Sequence, residues 1–228
     1  MADHTDNPSP EQAAAFAGLR RRMIDTQLAA RGIRNAALLH AMGTVPRHRF
    51  VPADSRPRAY DDCALAAGEG QTISQPYIVA LMTQALDPPP ASRILEVGTG
   101  TGYQTAILAE LAAQVHTIER LMSLADAAAK LLSGLGYSNV LFRTGDGSLG
   151  WPEAAPFDRI LVTAAAPKPP APLLEQLADG GRMVIPIGSR HHQDLVLIEK
   201  LGGRLTQTAF CPCVFVRLVG AAAFDDHD

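Results

Sequence analysis

Residues 92–111 read SRILEVGTGTGYQTAILAEL, and the stretch at their centre, Glu96-Val97-Gly98-Thr99-Gly100-Thr101-Gly102, decides the fold. SRILEVG is a buried-strand run and GYQTAILAELAA is a helix, so the glycines fall on a strand-to-helix turn. Glycine there lets the chain turn tightly and lets a ligand approach the backbone. A dinucleotide fingerprint requires its third glycine three positions after the second. That position is Tyr103, so the spacing fails. Glu96 also sets a carboxylate where a pyrophosphate should bind, which is the wrong sign. A cofactor with ammonium and sulfonium charges reverses that sign, so the loop fits S-adenosylmethionine and not NAD.

Outward from the loop, strands and helices alternate. VHTIE is a strand, LMSLADAAAKLLSGL a helix, NVLFRTGD a strand, FDRILVTAA a strand, APLLEQLADGG a helix and RMVIPIG a strand. LVLIEKL and RLTQTAFCPCVFVRLV finish the chain as antiparallel strands. The expected architecture is α/β: a doubly wound, mainly parallel, seven-stranded Rossmann-like sheet of the SAM-methyltransferase kind. Such sheets bind ligands beyond the carboxyl ends of their strands. Glu119 closes the second strand, where it suits two ribose hydroxyls, and Asp146, in the GDG after the third, suits an adenine amino group. Taken singly, the glutamate reads as a solvated loop residue and GDG as a turn. Three carboxylates at the ends of three successive strands point to a site.

The N-terminal text is different. Residues 1–10 read as a disordered tail and 11–228 as one domain, with a helical cap and active-site segment over 11–75 and a SAM-binding core over 76–228. Phe16, Leu19, Met23 and Leu28 recur at helical intervals until Gly32, and AALLHAMGTV is a second helix ending before Pro46. The start, MADHTDNPSPEQ, is acidic and polar, unlike a signal peptide. The formal net charge of −3 gives no reason to expect nucleic acid or a membrane surface as partner. Cys63, Cys211 and Cys213 are odd in number and lack a CxxC pair, which suits a reducing, cytoplasmic setting and argues against a metal site. A monomer is expected.

Residues 68–82, GEGQTISQPYIVALM, join a small polar half to an apolar helical half. Ser74 stands at the junction, as a nucleophile, a substrate-holding hydroxyl or a helix cap. Pro76 follows as a first-turn proline, and local sequence favours the cap. Nucleophilic catalysis lacks a nearby His-plus-acid pair.

PRHRFVP, AYDDCAL, GEGQTISQPYIVALM, ILEVGTGTGYQTAILAEL, IER, GDG, FDRILVTAAAP and GGRMVIPIG occur in the order found in protein-L-isoaspartate O-methyltransferases, and the chain from about Arg20 to Leu218 resembles that family. The resemblance implies a SAM-binding sheet with an N-terminal helical addition and a rearranged order of the last two strands. It implies repair: methylation of the α-carboxylate of L-isoaspartyl, and D-aspartyl, residues in damaged polypeptides. It assigns the substrate-positioning hydroxyl to Ser74 and places Gln71, Thr72 and Tyr77 near substrate and cofactor. Glu96, Gly98, Gly100, Thr101, Gly102, Glu119, Asp146 and Gly147 would hold the cofactor. One stretch departs: the family's RFVPL corresponds to VFVRL at 214–218, with Arg217 at the proline position. That cation would favour acidic peptides or point to solvent from an edge strand. The alternative function is carboxyl methylation of one dedicated peptide or small molecule.

Overall fold

The structure, a computed structural model, describes residues 9–225. Ser9 opens it with a capping box, its hydroxyl accepting from Gln12 N while the Gln12 side chain accepts from Ser9 N, and Pro10 is the first helical residue. The rest of the expected tail, residues 1–8, lies outside the described residues. Helix α1 (Pro10–Arg22) widens into a π-helical turn over Met23–Leu28 and tightens to a 3₁₀ turn ending at Gly32, which is left-handed at φ 94°. Helix α2 (Ala36–Thr44) is capped by Asn35, whose side chain accepts from Leu38 N. A short hairpin, β1 (Leu65–Gly68) and β2 (Gln71–Ile73), leads into α3 (Pro76–Leu86).

The core strands are β3 (Arg93–Val97), β4 (Gln114–Glu119), β5 (Val140–Thr144), β6 (Phe157–Val162), β7 (Leu177–Gly188), β8 (Gln193–Leu201) and β9 (Arg204–Cys213). They form one seven-stranded sheet in the order β5-β4-β3-β6-β7-β8-β9. The five strands from β5 to β7 are parallel, and β8 runs antiparallel to both its neighbours. The last two strands thus add at the edge in chain order. Between β3 and β6 the direction of strand addition reverses, which opens a crevice at their carboxyl ends. Helices α4 (Tyr103–Leu111) and α5 (Met122–Gly134) return the chain between the first strands, and α6 (Ala171–Gln176) precedes β7.

The strands' period of two divides the core. Leu95, Val97, Ile160, Val162, Met183 and Ile185 face one side with Leu173 of α6. Ile94, Leu161, Val184 and Leu195 face the other, under Met82 and Leu86 of α3 and Leu108 of α4. The cap adds a third cluster, in which Met23, Leu28, Leu38 and Met42 pack on Tyr103, Ile107 and Leu132.

Two segments differ from expectation. The helix predicted over 171–181 stops at Gln176, because Leu177 is buried in extended backbone and pairs with Phe157, and Gly180 turns at φ 77°. The strand predicted over 204–219 ends at Cys213. Beyond it Phe215 pairs with a side chain: its N–H donates to Gln193 Oε1 at 2.6 Å and its carbonyl accepts from Gln193 Nε2 at 3.2 Å. The chain then leaves the edge and bridges to Ala165 at Arg217.

Gln193 is buried, so Gln193→Ala leaves both polar groups of Phe215 without their partner. Urea unfolding should show a loss of about 1–3 kcal/mol. Hydrogen exchange should show the Phe215 amide losing protection before the sheet does; unchanged protection would mean that the crossing is held by other contacts.

Candidate active site

A cavity of about 400 Å³ lies over the carboxyl ends of β3, β4 and β6, within the range of small-molecule sites. Its floor is the glycine loop, Gly98 to Thr101, with Glu119, Arg120 and Leu121 after β4 and Gly147 after β5. Its roof is Glu69, Gln71, Thr72 and Ser74 from the hairpin, and its far wall joins Thr163 and Ala164 to residues 216–219.

The loop glycines have separate reasons. A Cβ at Gly98, where φ is 97°, would lie 2.3 Å from Thr163 Oγ1, so glycine lets β3 and β6 close together. Thr163 Oγ1 bonds the carbonyls of Val97 and Gly98 at 3.0 and 2.7 Å. At Gly100 a Cβ would meet nothing, and the loop there faces open cavity. Gly102 instead packs against Leu132 and Ala128 of α5 and lies off the cavity.

Glu96 shares the parity of Ile94, so the central strand turns its carboxylate under α4. It is fully buried, below the loop instead of in the cavity wall. Oε2 accepts from Thr105 Oγ1 at 2.5 Å and Thr117 Oγ1 at 2.7 Å, and Oε1 has no partner among the described residues. Thr117 in turn meets Thr99 Oγ1 at 2.6 Å, so a chain of hydroxyls joins the carboxylate to the cavity wall. Burial pushes the Glu96 pKa up from 4.5 to about 8, against the hydroxyl hydrogen bonds that favour its charge.

Glu119 lines the cavity, and its carboxylate accepts from Gly100 N at 2.9 Å and Leu121 N at 3.0 Å, fixing the loop. Asp146 does not line it. Its Oδ1 accepts from Ser148 N and Oγ, capping the 3₁₀ turn Gly147–Leu149, and its Oδ2 accepts from Ala221 N at 2.8 Å. Tyr77 is also elsewhere: Arg31 stacks 3.5 Å above its ring, because the second residue of α3 faces the end of α1's extension while Val79 and Met82 face the cavity.

Ser74 does not cap α3. Gln75 is the N-cap residue and makes no side-chain cap bond. The Ser74 hydroxyl makes no hydrogen bond to the protein among the described residues, and no histidine lines the cavity, so a nucleophile reading finds no base. Ser74 is held by its carbonyl, which accepts from Arg47 Nη2 at 2.7 Å. Arg47 is fully buried, donates through Nε to Ala59 O at 2.7 Å and stacks 4.6 Å from the Tyr103 ring. Sequence reasoning passed over Arg47 and over Thr99, Thr105, Thr117 and Thr163. The PRHRFVP motif flagged the first; nothing local marks the threonines.

The family model for protein-L-isoaspartate(D-aspartate) O-methyltransferase matches residues 20–223. A protein-L-isoaspartate O-methyltransferase of Koribacter versatilis is 56% identical over 205 residues, 90% of this chain and 92% of the relative. One from Syntrophus aciditrophicus is 54% identical over 208 residues, 90% of this chain and 95% of the relative. Among solved structures, a protein-L-isoaspartate O-methyltransferase superposes with a TM-score of 0.82 at 27% identity, over 90% of this chain and 67% of that one. A Plasmodium falciparum chain assigned to the same enzyme, in complex with S-adenosyl-L-homocysteine, gives 0.76 at 25% identity, over 90% and 98%.

Folded Glu96 keeps its proton to about pH 8, whereas its ordinary pKa is 4.5, so the folded state binds more protons across that window. Stability should therefore fall as pH rises from 5 to 8, by up to about 1.4 kcal/mol per unit from this group. Glu96→Gln should flatten the decline in urea unfolding, and parallel pH profiles for the two proteins would refute the assignment. Arg47→Ala strands two buried carbonyls and opens a void, with an expected cost of about 2–5 kcal/mol by the same method. A loss below about 1 kcal/mol would show that the carbonyls of Ala59 and Ser74 find other donors.

Proposed function

The chain belongs to the protein-L-isoaspartate(D-aspartate) O-methyltransferase family, and on that premise we propose that it methylates the α-carboxylate of L-isoaspartyl, and D-aspartyl, residues in damaged polypeptides. The observation that carries the reading is the placement of an unbonded serine hydroxyl, Ser74, across one cavity from the glycine loop and Glu119.

The residues fit S-adenosylmethionine. A buried acid with one unpartnered oxygen lies beneath the loop, joined to the wall by hydroxyls, and a cation in the cavity would stabilise its ionised form. Gly98, Gly100, Thr101, Glu119 and Gly147 would hold the cofactor, with Glu96 and Gly102 supporting the loop from behind. When bound, the cofactor supplies a methyl group activated by positive sulfur.

What remains for the protein is placement. An acceptor carboxylate is ionised at neutral pH, so no general base is needed, in keeping with a cavity without histidine. Ser74 donates its hydroxyl to that carboxylate and sets one oxygen toward the methyl group. Arg47 fixes the serine backbone, and Gln71 and Thr72 form the adjoining roof. Orientation of this kind supplies several kcal/mol of a displacement barrier. Tyr77 and Asp146 support the site indirectly, through the cap and the C-terminal segment. The cap's continuous cluster with α4 and α5 supports treating 11–228 as one domain. Three unpaired cysteines suit a cytoplasmic setting. Among the described residues, no helix is long and apolar enough to cross a membrane.

Incubation with methyl-labelled S-adenosylmethionine and paired isoaspartyl and aspartyl peptides tests the reading. Label should enter the isoaspartyl peptide only, and labelling of both or neither would overturn repair. Ser74→Ala should lower kcat about 10–100-fold, as expected when the attacking oxygen is no longer held in line, with S-adenosyl-L-homocysteine affinity within about twofold.

A further inference from the structure

The chain beyond β9 carries an arginine into the cavity wall. Arg217 is clamped by its neighbours, since Ala165 N donates to Val216 O at 2.8 Å and Leu218 N donates to Ala165 O at 2.7 Å. Leu218 is itself buried. The side chain is half-buried, and within its guanidinium Nη1 of Arg217 is shut off from solvent and has no acceptor among the described residues. A permanently charged donor out of water and without a partner is costly, and a guanidinium fork is shaped for a carboxylate.

Among the described residues the cavity offers no such partner of its own. Glu119 already accepts from two backbone amides, and Glu69 is exposed at the rim. The acceptor carboxylate is a poor partner as well. Methyl transfer discharges it, so a cation bound to it would favour the ground state over the transition state and slow the reaction.

Resting on the methyltransferase reading above, we propose that Arg217 is a specificity residue that binds a second carboxylate, an acidic side chain beside the isoaspartyl residue. The enzyme then selects damaged sites within acidic stretches of polypeptide.

The test uses C-terminally amidated isoaspartyl peptides that are neutral, or carry one aspartate two residues before or two residues after the damaged position. Both kcat/KM and peptide Kd in the presence of S-adenosyl-L-homocysteine are measured. At least one acidic peptide should exceed the neutral one by about fivefold or more at low salt, and the ratio should shrink as salt rises. In Arg217→Gln the ratio should fall to about one, with S-adenosyl-L-homocysteine binding confirming the fold. Equal values for all peptides, or a preference that survives Arg217→Gln, overturns the proposal. So does a loss of S-adenosyl-L-homocysteine affinity with the preference intact, which places the guanidinium on the cofactor's carboxylate. If no peptide is methylated the activity reading fails, while the binding ratios still decide the role of Arg217.

Discussion

A carboxyl group buried from solvent sits at the centre of the molecule, and much of the site follows from how it is held. Glu96 lies on β3, the middle of the five parallel strands, where both faces are covered. Strand parity turns it beneath α4, and among the described residues its partners are two threonine hydroxyls. Thr105 must then stand in the first turns of α4, and Thr117 must stand opposite Glu96 in the β3–β4 register, as it does. That register in turn places Thr99 of the loop on Thr117. The glycine loop is thereby fastened from below by hydroxyls and from the side by Glu119. Moving any of these by one residue along a strand would send its side chain to the opposite face.

Arg47 presents the opposite problem. A carboxyl group answers burial by keeping its proton, but a guanidinium has no comparable escape near neutral pH. Burial lowers the Arg47 pKa from its ordinary value, yet the group remains a cation and must find partners where it lies. The carbonyls of Ala59 and Ser74 hold Nε and Nη2 and the face of Tyr103 stacks on the group, while Nη1 has no acceptor among the described residues; together they draw the cap, the roof and the first residue of α4 to one point. Glu96 therefore organises the glycine-loop side of the cavity and Arg47 the roof.

The sheet was legible because buried parallel strands are written as apolar runs, and the floor because EVGTGTG, IER and GDG each end one. Legibility failed where a residue's role depends on distant geometry. The protein partners of Asp146 were not legible: its oxygens are engaged by Ser148 and Ala221, the second of them 75 residues away in the chain. Tyr77 sits in a motif that reads as a site, yet one helical step separates the cavity face of α3 from the face under Arg31. Ser74 before Gln75-Pro76 reads locally as a cap; the helix starts one residue later and leaves the hydroxyl free. The end of β9 was missed because RLTQTAFCPCVFVRLV keeps a strand's composition throughout, and only the Gln193 side chain shows where the ladder gives way.

The two sides of the cavity are built to different tolerances, and the chemistry accounts for the difference. The floor is made of strand ends in a continuous ladder, so the loop cannot shift without disturbing β3, β4 and β6 together. The roof is a hairpin of two short strands whose turn holds Gly68, Glu69 and Gly70 at φ 89°, 52° and 68°. A non-glycine residue in left-handed backbone costs about 1–2 kcal/mol, so this turn contributes little of its own order. Its placement comes from Arg47 on Ser74 and from Gln75 on Asp62 O. A cofactor is always the same molecule and can be met by a rigid surface. Damaged polypeptides differ at every residue but the one to be methylated. A roof anchored at its serine and loosely made elsewhere holds one hydroxyl in a fixed place against the cavity and leaves the remainder of the hairpin free to adjust to differing chains.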